Sequence, residues 1–551
     1  MTVTSREPSP AGEARRPELA QVDVLIIGAG FSGLCVARGL RRRGFSFRIL
    51  ERAGDVGGTW RDNTYPGCAC DIPSPLYSYS FAQRAGWTRL FPRQPEILDY
   101  LRDFAARRRL LEHTRFGAEV TGARWDERTG TWAVTEADGT RHVARALVSA
   151  IGALAVPSVP ELPGLATFAG PTMHSATWDH DLDLSGQRVA VIGTGASAIQ
   201  FVPQIVERVA HLTLVQRTPP WVVPKPDVPF SDRRRLLRRF PPYRWYDRAR
   251  MFWIHEARRR GFTDSAAAGA ADSAAAGSGG TAAGAADSPV STAAGSAEGS
   301  AGGSAGGVAS MVLAERLARA QLRRQVPDPE LRAALTPDYA IGCKRLLISS
   351  AYYPALSRPN VTVTTSGISA VRPDRIVTED GTEHPVDVII FATGFDTQHG
   401  LAAVPVVGRD GLDLERRWRD GLEAYLGTTV SGFPNYFVMM GPNSGLGHNS
   451  QIFMIEAQAR YTVSALVAMR RRRIRSVEVR PEVERAYNTW VQGRLAGSVW
   501  QAGGCRSWYQ HARTGRNTLL WPSSTVEFWR RTHRARLSDY RRDVAGLLGK
   551  T

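Results

Sequence analysis

The stretch Val22-Asp23-Val24-Leu25-Ile26-Ile27-Gly28-Ala29-Gly30-Phe31-Ser32-Gly33 decides the fold. Its first six residues are a short aliphatic run of the length of a buried strand. A glycine-rich turn follows at once, and the run from Leu34 to Gly44 then reads as a helix. Gly28 permits the tight turn, Gly30 lets backbone approach a pyrophosphate, and Gly33 allows the helix to pack closely on the strand. The helix N-terminus turns its free N–H groups toward phosphate. A second apolar run, Phe47-Arg48-Ile49-Leu50, ends at Glu51, eighteen positions past Gly33. A carboxylate at that point accepts both hydroxyls of a ribose. Strand, loop, helix and acid in register predict a dinucleotide-binding unit.

The pattern recurs. Val189-Ala190-Val191-Ile192 precedes Gly193-Thr194-Gly195-Ala196-Ser197-Ala198, a helix pattern follows, and Leu212-Thr213-Leu214-Val215 reads as the next strand. The acid is missing here, and Gln216, Arg217 and Thr218 stand in its place. A guanidinium at this point pairs with a ribose 2′-phosphate, which favours NADPH over NADH. The first unit, with its acid, suits FAD. Two such cofactors on one chain imply hydride transfer from nicotinamide to flavin. A further strand runs through Asp387-Val388-Ile389-Ile390-Phe391-Ala392. The fold expected is α/β, with two Rossmann-like dinucleotide-binding domains and a reduced helical subdomain.

Composition bounds the alternatives. The chain has 551 residues, 43% hydrophobic and 22% charged, which excludes wholesale disorder and fibrous repeats. A formal charge of +18 raises the case for a nucleic-acid or acidic-membrane partner. Of the 70 basic residues, however, all but Lys225, Lys344 and Lys550 are arginine, an imbalance that reads as compositional bias. The arginine clusters at 41–43, 107–109, 258–260 and 470–473 are scattered and read as solvated helix faces, so no nucleic-acid partner is expected. Five cysteines lack paired CxxC spacing, so no metal is expected, and a reducing cytoplasm fits best. No apolar run of about 18 residues predicts a membrane span, and the N-terminus does not read as a secretory signal.

Residues 1–20 read as a disordered tail, and the stretch 263–310 collapses to Ala, Gly and Ser and reads as a flexible insert. Arginine-rich helical segments flank it, from Asp232 to Arg260 and from Met311 to Arg324. The plan expected is an FAD-binding domain from 21–151 and 386–551, an NADP-binding domain from 152–218 and 341–385, and a helical region from 219–340. Oligomeric state stays open.

Two further stretches carry a resemblance. Gly57-Gly58-Thr59-Trp60-Arg61-Asp62-Asn63-Thr64-Tyr65-Pro66-Gly67-Cys68-Ala69-Cys70-Asp71 is one, and Phe168-Ala169-Gly170-Pro171-Thr172-Met173-His174-Ser175-Ala176-Thr177-Trp178-Asp179 is the other. Both resemble signatures of the flavin-dependent Baeyer-Villiger monooxygenases. The second has the form FxGxxxHxxxW, and related flavin N- and S-oxygenases usually carry Tyr or Phe where this chain has Trp178. The resemblance covers about 22–218 and 336–530 and lapses in the Ala/Gly/Ser stretch, where the family has a folded helical domain.

The resemblance implies an NADPH- and O2-dependent enzyme that inserts one oxygen beside a ketone carbonyl through a flavin peroxide, giving an ester or lactone. Gly28, Gly30, Phe31, Ser32, Gly33 and Glu51 would hold FAD's pyrophosphate and ribose. Thr59 and Trp60 would lie along its flavin side, Asp71 and Tyr77 near the ring, and Val120 at the adenine. Thr194, Gly195, Ala196, Ser197, Ala198 and Gln200 would hold NADPH, with Arg217, Thr218 and Lys344 at the 2′-phosphate. Asp71 and Arg345 resemble the family's catalytic couple, in which a permanent cation stabilises an anionic peroxide and the oxyanion that follows. His174 reads as a coupling or NADPH-contacting residue. Trp508 resembles a mobile C-terminal tryptophan that meets NADP and substrate, and Cys68 and Cys70 read as packing. The alternatives are a flavin N- or S-oxygenase, an uncoupled NADPH oxidase, or a basic nucleic-acid or membrane-surface protein that uses the fold only as a scaffold.

Overall fold

Aliphatic runs buried on both faces pair as parallel strands, and that is what the two glycine-loop units do here. The computed structural model describes residues 21–263 and 305–544. The expected N-terminal tail and most of the Ala/Gly/Ser stretch lie outside the described residues. The first sheet runs, in order, Val406–Val407, Val120–Asp126, Thr131–Glu136, Arg141–Ser149, Val22–Ile27, Phe47–Glu51 and Thr114–Phe116, with Tyr436–Val438 pairing along Arg141–Ser149. Period-two alternation in Val22–Ile27 sends Val24 and Ile26 into one apolar cluster and Leu25 and Ile27 into another. Helix Phe31–Arg42 covers the first of these faces, burying Leu34, Val36, Ala37 and Leu40.

The second sheet is smaller and wholly parallel. Its order is Val361–Thr364, His211–Val215, Arg188–Ile192, Val388–Phe391 and Thr172–His174. Strand Val388–Phe391 pairs with Arg188–Ile192 and Thr172–His174. The chain therefore returns to the first unit after Phe391, not at residue 386 as the boundaries read from sequence had it. The apolar run made the strand legible, but its partners depend on crossovers that periodicity does not encode.

The helical region differs from expectation in two respects. Residues 232–260 are not one continuous helical stretch: Asp232–Leu237 and Pro241–Ala257 are separate helices, and Pro241 and Pro242 open the second. A proline ring in a first turn leaves no broken hydrogen bond. Both edges of the expected 263–310 insert are also helical, since Arg259–Thr263 ends at Thr263 and Ala305–Gln325 begins at Ala305. Packing explains the gain over composition. Phe262 stacks on Trp500 at 5.7 Å between ring centroids, and Ala318, Gln321 and Leu322 are buried on the longer helix. Among the described residues no helix is long and apolar enough to cross a membrane.

A buried carboxylate ties this region to the C-terminal part of the chain. Glu256 accepts hydrogen bonds from the Thr525 amide at 2.9 Å, the Thr525 hydroxyl at 2.6 Å and the Asn449 side chain at 3.0 Å, with His448 at 3.5 Å. Burial pushes the Glu256 carboxyl up, but the bonds from His448, Thr525 and Asn449 outweigh it and bring the pKa to about 2. Glu256→Ala is expected to cost about 3 kcal/mol of stability, because it strips the partners of a buried charge. Because the folded pKa lies below the ordinary 4.5, this contribution is complete above that pH and fades as pH falls through about 2. Denaturation midpoints of wild type and variant should therefore differ most at neutral pH and converge in strong acid. Equal midpoints at pH 7 would refute the role.

Candidate active site

Each glycine loop is pressed against a carbonyl of a neighbouring strand end. A Cβ on Gly28 would lie 2.7 Å from the Ala150 carbonyl oxygen, and one on Gly193 would lie 2.6 Å from that of Ala392. Both residues have left-handed backbone, with φ +102° and +104°, so only glycine fits without strain. A Cβ on Gly33 would sit 1.9 Å from the Gly28 carbonyl oxygen, which fixes the helix Phe31–Arg42 directly over its loop. Gly30 faces Gly58, and a Cβ on Gly58 would come within 3.3 Å of the Gly30 Cα. The narrow backbone lip between these two glycines is the kind of cradle a pyrophosphate requires.

Around this lip the first-unit residues gather. Glu51 ends its strand and accepts from the Ala29 amide at 2.8 Å and from Arg61 Nη1 at 2.9 Å. The Arg61 partner was not foreseen, although it stands inside the quoted Gly57–Asp71 stretch. Val120 starts the strand Val120–Asp126, two residues beyond Ala118, whose amide donates to the Glu51 carbonyl. Phe31 and Ser32 open the first helix and are buried. Thr59 and Trp60 begin the short helix Thr59–Asp62, and Trp60 Nε1 donates to the Tyr77 hydroxyl at 3.0 Å. The Phe31 and Tyr77 rings meet edge to face at 5.4 Å.

In the second unit Gly195 and Ala196 are exposed on the rim of the loop, Ser197 immediately precedes helix Ala198–Ile205 and Ala198 is buried inside it. Thr194 donates to the Thr218 carbonyl at 3.3 Å, which holds the loop beside the end of strand His211–Val215. Arg217 is exposed there. Burial and the nearby Arg217 push the Lys344 ammonium down, with Asp338 opposing them. The Lys344 ammonium lies over the Tyr339 ring at 4.9 Å. Gln200 has a different set of partners: it accepts from the Tyr65 hydroxyl at 3.0 Å and the Ala69 amide at 3.1 Å and donates to the Ala69 carbonyl at 3.0 Å. It links the second unit to the loop that leads to Asp71.

The interval between Phe168 and Trp178 builds packing. Gly170 is required by close approach, since its Cβ would meet the Asp387 carbonyl oxygen at 2.0 Å. Phe168 packs on the cluster around Ile389 and Phe391. His174 ends strand Thr172–His174, its Nδ1 accepts from the Ala176 amide at 3.1 Å, and burial pushes its pKa down, so it is neutral at physiological pH. Trp178 lies against Phe201 at 5.2 Å.

Asp71 and Arg345 meet in a bidentate pair. Arg345 Nε donates to Asp71 Oδ2 at 2.7 Å, and Nη2 donates to Oδ1 at 2.7 Å. The Asp71 charge raises the Arg345 pKa against the opposing effect of burial, so the guanidinium is a fixed cation. About 30% of its side-chain surface stays accessible, leaving it able to meet a ligand. Tyr509, buried to 1% exposure, borders the same guanidinium, and burial pushes its phenol pKa up. Trp508 is 45% exposed beside it, with ring centroids 4.5 Å apart. Among the described residues no cluster of His, Cys, Asp and Glu could hold a metal ion.

Residues 21–227 match the flavin-binding monooxygenase-like family. A Baeyer-Villiger monooxygenase of Pseudomonas aeruginosa is 46% identical over 95% of this chain and 91% of its own length. The cyclohexanone monooxygenase from Rhodococcus sp. Phi1 bound to NADP+ superposes with a TM-score of 0.79 at 27% identity, covering 95% of this chain and 99% of that one. The OTEMO complex with FAD and NADP gives a TM-score of 0.78 at 26% identity over 95% and 99% of the two chains. With 46% identity along almost its whole length, this chain belongs to the Baeyer-Villiger monooxygenase family.

Proposed function

We propose that this protein inserts one atom of O2 beside the carbonyl of a ketone, at the expense of NADPH, and releases an ester or lactone. The observation that carries the proposal is the bidentate Asp71–Arg345 pair, which keeps a permanent cation partly open to a ligand. FAD, reduced by NADPH, supplies the activated oxygen when bound. Residues 21–151 with the chain beyond Phe391 form its domain, and 152–218 with 341–391 form the NADP domain. Gly28, Gly30, Gly33 and Glu51 cradle FAD's pyrophosphate and ribose, while Thr59, Trp60 and Tyr77 line its course. Val120 borders the adenine. Thr194, Gly195, Ala196 and Ser197 receive the pyrophosphate of NADPH, and Arg217, Thr218 and Lys344 receive its 2′-phosphate. NADPH is made and re-reduced inside cells, which supports a cytoplasmic setting.

The protein's own contribution to the chemistry is electrostatic. Arg345 cannot release a proton, so it stabilises an anion without quenching it as an acid would. Asp71 takes Nε and Nη2, which fixes the plane of the guanidinium and leaves Nη1 for the oxyanion developing on the ketone oxygen. Tyr509 keeps its proton and closes the inner side of the guanidinium.

Two outcomes are expected. Arg345→Ala should lower oxygenated product by about 10²- to 10³-fold, the scale of losing one oriented charge donor, while NADPH still reduces the flavin in stopped flow. Product formation near the wild-type rate would overturn the role. Arg217→Ala and Lys344→Ala should each raise the KM for NADPH about ten- to a hundredfold, with kcat nearly unchanged, since each removes a charge-assisted bond worth about 1.5–3 kcal/mol. KM for NADH should hardly move, and a parallel rise for both cofactors would refute the 2′-phosphate assignment.

A further inference from the structure

We infer that the disulfide Cys343–Cys505 is a positioning brace for the oxygenation site, holding the turn that carries Lys344 and Arg345 against the C-terminal loop that carries Trp508 and Tyr509. The two cysteines are 162 residues apart in sequence. Cys343 immediately precedes Lys344 and Arg345, and Cys505 stands three residues before Trp508. Nothing in their spacing pairs them.

The surrounding contacts show why a brace is needed there. The two segments share a backbone bond from the Ala340 amide to the Gly503 carbonyl at 3.0 Å. They run so close that a Cβ on Gly503 would lie 2.8 Å from the Cys343 Cβ. Past the bridge Arg506 and Trp508 are exposed, and the loop is next anchored at buried Tyr509 against Arg345. Arg345 itself is already fixed by Asp71. Loss of the bridge should therefore release the loop that carries Trp508 more than the guanidinium. Misplacement of such a loop costs shielding and orientation before it costs cofactor reduction.

The brace is chemically reversible. Cys343 is fully buried and Cys505 only partly so, so a dithiol would reach the bridge from the Cys505 side. Attack breaks the S–S bond and forms a mixed disulfide, which the second thiol resolves. Two electrons and two protons pass to the bridge, giving two cysteine thiols and an oxidised dithiol. Disulfides are rare in reducing compartments unless their redox state matters, so the reduced form is a physiologically relevant state to measure.

The brace rests on the role proposed above for Arg345, and the test separates the two. Thiols are first counted in denatured FAD-loaded protein: three are expected, from Cys35, Cys68 and Cys70, against five if no bridge forms. Coupling is then measured as oxygenated product and hydrogen peroxide per NADPH consumed, for wild type, for wild type treated with dithiothreitol, and for the variant Cys343→Ser/Cys505→Ser. Peroxide per product should rise about tenfold in the treated enzyme and in the variant, with flavin reduction by NADPH unchanged and recovery on reoxidation of the wild type. Five thiols, or unchanged coupling in both arms, would overturn the brace. A parallel fall of flavin reduction, product and thermal midpoint would reduce the bridge to a general staple and overturn it too. If Arg345→Ala retains oxygenation, the catalytic reading fails independently of the thiol count.

Discussion

A guanidinium and a carboxylate 274 residues apart in sequence meet in two parallel hydrogen bonds, and the rest of the molecule is arranged so that they can. Asp71 hangs on a loop that leaves the first glycine-loop unit, while Arg345 follows the helical region and precedes the strand Leu347–Ile348. Bringing both charges out of bulk water costs free energy that their attraction only partly returns, so such a pair is poorly explained as a source of stability. It is better explained as a means of holding a cation in one orientation. The contacts that matter most are then those that set the relative position of the two loops. Gln200 anchors the 65–69 segment from the second unit, and the bridge at Cys343 anchors the Arg345 turn from the C-terminal side.

The two glycine loops repeat one steric condition. In each, the first glycine turns with positive φ directly over a carbonyl at the end of an adjacent strand, Ala150 in one case and Ala392 in the other. The carbonyl leaves no room for a side chain, and the turn aims the following helix N-terminus across the strand ends. Such repetition explains why one chain can carry two nucleotides: the same strand-turn-helix solution appears twice, and the two units differ in what stands at the end of the second strand. Glu51 is drawn into its own loop by the Ala29 amide. Arg217 has no such tether and stays exposed at the rim, in the electrostatic range of Lys344.

This division also governs what was legible in the sequence. Strands, glycine loops and the acid-for-arginine exchange rest on residues within about one βαβ unit of each other, so they could be read locally, and their strand positions agree with the structure. The Asp71–Arg345 pairing came from resemblance, since no spacing rule connects residues so far apart. Contacts that needed the third dimension were missed: the Cys343–Cys505 bridge, Arg61 on Glu51, Tyr509 on Arg345, and the Glu256 network that joins Asn449 to Thr525. Gln200 was given to NADPH by the resemblance, and its bonds to Tyr65 and Ala69, which tie the second unit to the loop before Asp71, could not be read from spacing. Helical residues at 263 and from 305 onward escaped because Ala, Gly and Ser content speaks only to propensity, whereas packing such as that of Phe262 on Trp500 decides the outcome.

The large positive charge acquires a structural meaning from the same contacts. A guanidinium offers five donors in a plane, and lysine cannot reproduce their spread. Arg248 donates to the carbonyls of Pro75 and Ser78 at 2.8 Å each, and Arg332 donates to those of Val326 and Pro327. Arg470 reaches the carbonyls of Arg43 and Gly44. None of these bonds involves an acid, so each adds to the net charge while satisfying backbone that would otherwise lack a donor. Some of the arginines thus close loops without an acid partner, and net charge alone says little about a polyanionic partner. Lys344 differs from these arginines: its ammonium lies over the Tyr339 ring at 4.9 Å, and its pKa is pushed down by burial first and by the nearby Arg217 second.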